Sequence, residues 1–263
     1  MVYQFKLRSK RVCLGKKPAR ENAIKFKLES YLDLQRIQPP TVFGHITNRA
    51  EAEWMMLGND IAGCCVVAGA MHETMDWTRA TGRPVARFSQ ALAFKEYEQA
   101  SGWNGVPNDA SDTGLDMQLY ASRRQKVGIV DTAGALHKVK SYAAVDSVTN
   151  LIKAAWVFGA CGLGIRFPES AAAQFDKGQP WTVDEKSDVV GGHYVPVVGR
   201  NSHGNIVCVT WGRLQAITPA FLMRYMDEAV AYVSIDYLHP DRGLTPELIN
   251  EAQLDADLRT LAA

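Results

Sequence analysis

The stretch Asn59-Asp60-Ile61-Ala62-Gly63-Cys64-Cys65 leads from a turn-rich loop into the small and apolar run CCVVAGAMHETMDWT at 64–78. This pattern predicts a buried central helix over 64–78, with Cys65 in its first turn. A thiol at that end faces the positive pole of the helix dipole, which favours the nucleophilic thiolate. The preceding loop can offer backbone N–H groups and the Asn59 amide to a developing oxyanion. The stretch therefore predicts a cysteine nucleophile with Asn59 as an oxyanion donor.

A candidate base follows in the last third of the chain. His193 opens the valine-rich run 192–199, and a second apolar run, 205–211, follows after a short turn. Two such runs predict a β-hairpin. A histidine held at the start of a rigid strand can act as a general base toward a thiol.

These segments resemble the papain-like cysteine peptidases, in a divergent branch associated with bacteria and their phages. The family carries Gln-x-x-x-x-x-Cys at the head of its central helix, where this chain has Asn59 and Cys65. The family's Gly-His-Ala-Val-like strand start resembles Gly192–Val195, and its Asn-Ser-Trp-Gly segment resembles Val209–Gly212. The separation of about 130 residues between cysteine and histidine also fits papain-type enzymes. The resemblance covers about residues 50–238.

The resemblance implies an α+β fold of the papain-like type. A helical half would surround the Cys65 helix, an antiparallel β half would carry His193, and a cleft would lie between them. The chain then divides into a basic N-terminal arm over 1–45, a papain-like domain over 46–238 and a C-terminal helical extension over 239–263.

The activity implied is thiol-dependent hydrolysis of a peptide or isopeptide bond in a polypeptide substrate. Cys65 would attack the carbonyl, His193 would act as base and then as acid, and Asn59 would help to stabilise the oxyanion. No metal or organic cofactor is implied. An acyltransferase or amidase would use the same thioester chemistry. The expected location is the cytoplasm of a bacterial host cell or a phage virion.

One departure from the family concerns the residue that orients the histidine. Val209 stands where the family has an asparagine, and valine cannot hydrogen-bond an imidazole. Losing such a partner costs about 10⁴ in rate in the serine-protease case. A Cys–His dyad can still act, because cysteine needs less activation than serine. Three residues remain open as substitutes: Asn201, Asn205 and Asp188. The alternative is an inactive papain-fold protein that serves as a binding or structural component, such as a phage particle accessory.

Composition limits the remaining function classes. The 263 residues are 47% hydrophobic and 22% charged, which is typical of a globular protein. No apolar run of 18 residues occurs, and no secretory signal is visible, so a membrane protein is not expected. Five cysteines without paired spacing argue against a disulfide framework and favour a reducing compartment. A net charge of +1 argues against nucleic-acid binding by the whole surface.

Charge is concentrated in residues 1–28, which hold nine Lys and Arg residues against one acid, Glu21. This arm carries +8, so the rest of the chain carries −7. One interpretation is a solvated extension lying on an acidic body. The other is an arm that binds nucleic acid or an acidic partner.

The remaining secondary structure is predicted from periodicity and from turn residues. Residues 1–45 are predicted to be irregular. Further helices are predicted over 46–57, 89–101, 115–127, 147–157, 218–229 and 245–261, and further strands over 159–167 and 232–238.

Other cysteine and histidine residues are weaker candidates. Cys64 points about 100° away from its neighbour on a helix, so it does not face the same cleft. His72 lies two turns along the central helix and is expected to pack against other elements. Three histidines near predicted turns or strand ends are expected to be solvated: His137, His203 and His239.

Overall fold

Three helices precede most of the strands and three more lie between strands, in a computed structural model that describes residues 2–7, 11–21, 23–30, 32–44, 53–238 and 245. The helices are α1 Cys65–Ala80, α2 Gln90–Ser101, α3 Met117–Lys126, α4 Val148–Val157, α5 Glu169–Asp176 and α6 Pro219–Tyr225. Within the described part of the chain, no helix is both long enough and apolar enough to cross a membrane.

A seven-stranded sheet forms the second half of the fold. The strands of the chain are β1 Gln4–Lys6, β2 Arg11–Cys13, β3 Phe43–Gly44, β4 Ile129–Val130, β5 Leu136–His137, β6 Val139–Val145, β7 Cys161–Pro168, β8 Val189–Arg200, β9 Ile206–Thr210, β10 Arg213–Ile217 and β11 Met226–Ser234. The main sheet has the order β10-β9-β8-β7-β11-β6, every neighbouring pair is antiparallel, and β3 pairs with β8. Two hairpins, β1–β2 and β4–β5, lie outside this sheet.

The helix ends follow the capping residues of the sequence. Ser89 and Ser147 cap α2 and α4 by accepting hydrogen bonds from backbone N–H groups of the first turn. Gly102, in the left-handed conformation, ends α2. By contrast, the residue before α1, Cys64, makes no side-chain capping hydrogen bond. The first backbone N–H groups of α1 therefore receive no capping side chain from Cys64.

The four helices predicted over 64–78, 89–101, 115–127 and 147–157 are confirmed as α1 to α4. The predicted helix over 218–229 is wrong beyond Tyr225, because Met226 begins β11. Met226, Glu228 and Ala229 favour helices, but all three pair with β7 and Ala229 also pairs with β6, so sheet pairing outweighs their helix propensity.

The remaining expectations concern residues 1–57 and the C-terminal extension. Residues 1–45 were expected to be irregular, but they contain β1, β2 and β3. Most of the helix expected over 46–57 and nearly all of 239–263 lie outside the described residues, and 53–57 are not α-helical.

The helical half docks on the sheet through Tyr194 of β8. Its ring lies against α1 at Gly69, where an added Cβ would come within 2.4 Å of the ring. Its hydroxyl approaches β7 at Gly162, where an added Cβ would lie 2.2 Å away. That hydroxyl donates a hydrogen bond of 2.5 Å to Glu73 of α1. Two glycines thus create the slot that sets the distance between α1 and the sheet.

The same carboxylate is paired with a buried arginine. Glu73 is fully buried and accepts a charge-assisted hydrogen bond from Arg124 of α3. The Arg124 guanidinium lies 4.3 Å from the ring centre of Tyr232 and 5.3 Å from that of Trp77. This cluster joins α1, α3 and β11 around one buried ion pair.

We expect Glu73→Gln to lower the free energy of unfolding by about 3–5 kcal/mol, because it leaves the Arg124 charge buried without its partner. Urea unfolding, followed by circular dichroism, measures this loss. The control is Glu53→Gln, which breaks the more exposed pair between Glu53 and Arg79 of the same helix and should cost about 0–1 kcal/mol. Equal losses in the two variants would contradict the importance assigned to the buried pair.

Candidate active site

Cys65 is the first residue of α1, and its side chain is buried. Burial raises the pKa of its thiol to about 12, although the backbone N–H groups of Tyr194 and Gly15 and the charge of Lys16 act in the opposite direction. Tyr194 directly follows His193, so the thiol faces the backbone of the strand that carries the predicted base. The predicted nucleophile and the predicted base therefore lie on two elements, α1 and β8, that meet at this point.

His193 is buried in β8, with its ring stacked on Trp211 at 4.5 Å between ring centres and an angle of 22°. Its Nε2 lies 2.7 Å from Thr210 Oγ1. Its Nδ1 is buried and has no hydrogen-bond partner among the described residues. Burial lowers the pKa of the imidazole to about 3, so the ring is neutral in this state.

The residue that orients the histidine is Thr210, which the sequence analysis did not propose. It directly follows Val209, whose side chain cannot do so, and successive residues of a strand point to opposite faces. Asn201, one of the three residues left open, accepts hydrogen bonds within its own hairpin turn, including one from Asn205. The backbone carbonyl of Asp188 accepts a hydrogen bond from Glu169. The sequence feature that could have indicated this partner is the hydroxyl of Thr210 at the end of β9.

Asn59 lies in the loop before α1, as predicted, and is buried. Its side-chain Nδ2 donates a hydrogen bond of 3.1 Å to the carbonyl of Ala62, and its backbone carbonyl accepts one of 2.9 Å from the backbone N–H of Cys13. A side-chain amide has two N–H groups, so the bond to Ala62 uses one of them. The amide shapes the loop that leads into the Cys65 turn.

A carboxylate ties this loop to the loop that precedes α3. Asp112 accepts hydrogen bonds from the backbone N–H of Gly63 at 3.0 Å and from the hydroxyl of Tyr97 at 2.5 Å. The Tyr97 hydroxyl in turn accepts a hydrogen bond of 3.0 Å from Gly114. Gly63 and Gly114, which line the cleft, are thereby held at a fixed separation.

The cleft is occupied by the chain itself. The cleft segment, Leu14–Lys17, passes between Gly192 of β8 and Leu115. The N–H groups of Gly15 and Lys16 both donate to the Gly192 carbonyl, at 3.2 and 3.0 Å. The carbonyl of Gly15 accepts from Leu115 at 2.7 Å, and the last N–H of the segment donates back to Leu115 at 2.8 Å. The segment is bonded to both walls of the cleft.

Glycines make this close approach sterically feasible. A Cβ added at Gly15 would lie 1.8 Å from the carbonyl oxygen of Gly63. Added at Gly114 it would lie 2.1 Å from the Gly15 oxygen, and at Gly192 it would lie 2.3 Å from the Lys16 oxygen. The cleft segment therefore packs with its backbone directly against the backbone of the walls, and its Gly15 N–H faces the Cys65 thiol.

Two basic residues of the arm pair with acids of the same chain. The Lys16 ammonium lies 2.5 Å from Asp227 and 2.7 Å from Glu228, and its side chain has no exposed surface. Arg20 forms an ion pair with Asp116, the capping residue of α3. The interpretation of the arm as a solvated extension is wrong for Lys16. For these two cations, the acidic partner is the body of the protein.

The weaker cysteine and histidine candidates are held in the packing. Cys64 is buried and faces the carbonyl of Leu57 at 3.6 Å. The expectation that His72 packs against other elements is confirmed, since it is buried with its Nε2 2.7 Å from the carbonyl of Trp54.

The expectation for the three remaining histidines is met only in part. His137 is buried, with Nδ1 3.1 Å from Asp236 and Nε2 3.6 Å from Asp131, and these carboxylates raise its pKa despite the opposing effect of burial. The expectation that it is solvated is wrong, because the carboxylates supply the partners that water would otherwise provide. His203 is exposed, and His239 lies outside the described residues. Within the described ranges, no three metal-binding side chains cluster.

Several solved structures share this architecture. Xylellain, a cysteine protease from Xylella fastidiosa, matches with a TM-score of 0.60 and 10% identity over 84% of this chain and 96% of that chain. ProCathepsin B S9 from Trypanosoma congolense matches with 0.54 and 12% over 84% and 86%. Procathepsin L 3 of the Tenebrio molitor larval midgut matches with 0.54 and 12% over 80% and 76%.

The sequence itself carries no such match: no protein-family model and no curated protein is recognisably similar to it. The structural similarity at 10–12% identity establishes the fold. The chain has a papain-like α+β fold, with the helical half around α1 and the antiparallel half around β8, as the resemblance implied.

We expect Cys65 in the native chain to react very slowly with iodoacetamide at pH 8. A thiol with a pKa near 12 holds on the order of 1,000-fold less thiolate there than an ordinary cysteine. Labelling, read at Cys65 by mass spectrometry, should rise about tenfold per pH unit with no plateau below pH 10. The same chain in urea supplies the ordinary thiol. A native plateau with an inflection below pH 8.5 would contradict this closed state.

Proposed function

We propose that the chain is a latent thiol hydrolase of peptide or isopeptide bonds. One observation carries the proposal: Cys65 opens α1 with its thiol against the backbone of β8, next to a buried His193 that Thr210 holds by Nε2. A nucleophile at a helix terminus, a histidine and a side chain that orients this histidine are the parts that thiol acyl transfer requires. Xylellain, the fold neighbour that is a cysteine protease by name, supports the same class of reaction.

In the proposed reaction, His193 Nδ1 takes the thiol proton as Cys65 Sγ attacks the carbonyl carbon of the substrate. The backbone N–H of Cys65 and the Asn59 amide donate to the oxyanion of the tetrahedral intermediate. His193 then gives the proton to the leaving amine, and a thioester remains on Cys65. Water, deprotonated by His193, hydrolyses the thioester. This cycle needs the tautomer in which Nε2–H donates to Thr210, so that Nδ1 is free to accept.

The proposed hydrolase is latent because the cleft segment occupies its cleft. While the cleft segment covers Cys65, burial raises the pKa of the thiol and lowers that of His193, so the pair stays neutral. Departure of the segment would admit water and move both pKa values toward their ordinary range. A thiolate–imidazolium pair then becomes accessible near neutral pH. Two of the fold neighbours are proforms by name, which agrees with a closed precursor state.

The proposed substrate is a polypeptide. The origin in bacteria or their phages and the location in a host cytoplasm or virion stay predictions. The interpretation as an inactive binding component is the competing outcome of the experiment that follows.

We expect Lys16→Met in the full chain to raise Cys65 alkylation and peptide hydrolysis on the order of 100-fold, because it removes the buried cation that holds the cleft segment. Lys17→Met is the matched control, since the neighbouring side chain is exposed. Adding Cys65→Ala should abolish hydrolysis, and adding His193→Ala should lower it together with thiolate formation. Should Lys16→Met misfold, the charge-balanced double variant Lys16→Met/Glu228→Gln replaces it.

Rapid alkylation without hydrolysis of any peptide or isopeptide substrate would contradict the hydrolase. That outcome would favour a protein that uses the papain-like cleft only for binding. Unchanged alkylation in Lys16→Met, with the fold intact by circular dichroism, would contradict the role of the cleft segment.

A further inference from the structure

The Lys16 side chain fills a pocket that opens from the cleft close to Cys65. Its stem lies against Gly164 of β7, where an added Cβ would come within 2.2 Å of the lysine Cε. Its three ammonium N–H groups meet three acceptors: Asp227, Glu228 and the carbonyl of Lys17. The pocket is thus shaped and charged for a long cationic side chain.

The pocket belongs to the cleft and not to the arm. Asp227 and Glu228 are consecutive residues of β11, inside the main sheet. The backbone around Lys16 is held by Gly192 and Leu115, which lie in the body of the protein. A different polypeptide that used these two backbone partners would bring one of its own side chains to the same place. The pocket would then select among polypeptides by the size and charge of that side chain.

One carboxylate oxygen in the pocket is left unsatisfied by lysine. Glu228 is 8% exposed, and its Oε2 is buried without a hydrogen-bond partner in the part of the chain that the structure describes. Burial raises the pKa of Glu228, and Lys16 opposes this rise. A guanidinium carries five N–H donors in a planar fork, so it can bond both carboxylate oxygens. The pocket therefore suits arginine as well as lysine.

We propose that this pocket makes the enzyme specific for polypeptides with Lys or Arg at the position that Lys16 occupies in the cleft. This inference rests on the proposed function. An apolar side chain would leave the partly buried carboxylates of Asp227 and Glu228 without a counter-ion, and an acidic side chain would be repelled. An open cleft of about 520 Å³, which Lys16, Asp227 and Arg166 help to line, connects the pocket with solvent.

The first test uses the arm as a tethered ligand in the full chain. Position 16 is changed to Arg, Met and Glu, and Cys65 alkylation at pH 8 reports how well each side chain keeps the cleft closed. Lys and Arg should protect Cys65 about 30-fold or more better than Met, and Glu should protect least. In an Asp227→Asn/Glu228→Gln background this preference should vanish. Equal protection by Lys and Met in the unmodified pocket would overturn the proposal.

The second test uses substrates in trans. The Lys16→Met chain is given fluorogenic peptides that differ only by Lys, Arg, norleucine or Glu at one position, scanned along the peptide. A preference for Lys and Arg at one position, lost in the Asp227→Asn/Glu228→Gln background, supports the pocket. Hydrolysis without such a preference would overturn it while leaving the hydrolase intact.

A third measurement separates the pocket from catalysis. If no peptide is hydrolysed, the hydrolase proposal fails, and the pocket is then judged by binding alone. The probes are acetyl-Leu-Gly-Lys-Lys-Pro-amide, which copies residues 14–18, and its analogue with norleucine for the first lysine. Selective protection of Cys65 by the lysine peptide supports a site for basic segments, and equal protection by both peptides refutes it.

Discussion

Tyr194 sets the geometry on which both the fold and the site depend. Its ring occupies the slot made by Gly69 and Gly162, and its hydroxyl is fixed by Glu73. The same residue offers its backbone N–H to the Cys65 thiol and directly follows His193. A single residue therefore controls how closely α1 approaches β8, and with it the separation of Cys65 and His193. A side chain at Gly69 would push the Tyr194 ring away from α1, and one at Gly162 would push its hydroxyl away from β7.

Two buried ion pairs have different roles in this architecture. The ion pair between Glu73 and Arg124 joins α1 to α3, which stay together in the folded chain. The cost of desolvating the two charges is therefore offset by their attraction when the chain folds. The pair of Lys16 with Asp227 and Glu228 joins the sheet to a segment that is bonded to the cleft largely through backbone groups. If that segment leaves, Asp227 and Glu228 lose the Lys16 cation but keep their places in β11. A cation from another polypeptide can restore the balance, which links closure of the cleft with the choice of substrate.

The sequence predicts the elements that carry the site but not all of the contacts within it. The helix at Cys65 and the hairpin at His193 can be predicted from local sequence patterns. These predictions hold because the same patterns also match the burial of each element in the fold. Thr210 could not be predicted as the partner of His193, because nothing in the sequence shows whether Val209 or Thr210 faces the imidazole. The cleft segment was missed because it has no periodicity: its position depends on glycines distant in sequence. The beginning of β11 was predicted as helix because Met226, Glu228 and Ala229 are good helix formers, but pairing with the neighbouring strands outweighs that propensity.

The stability of the closed cleft depends on pH. The direction of this dependence follows from the pKa shifts of Cys65 and His193. The pKa of Cys65 is raised by closure, so ionisation of the open thiol disfavours closure above its ordinary pKa near 9.0. The pKa of His193 is lowered by closure, so protonation of the open imidazole disfavours closure below its ordinary pKa near 6.5. Between these values neither group opposes the cleft segment. Closure is therefore most stable near neutral pH, because acid acts against it through the imidazole and alkali acts against it through the thiol.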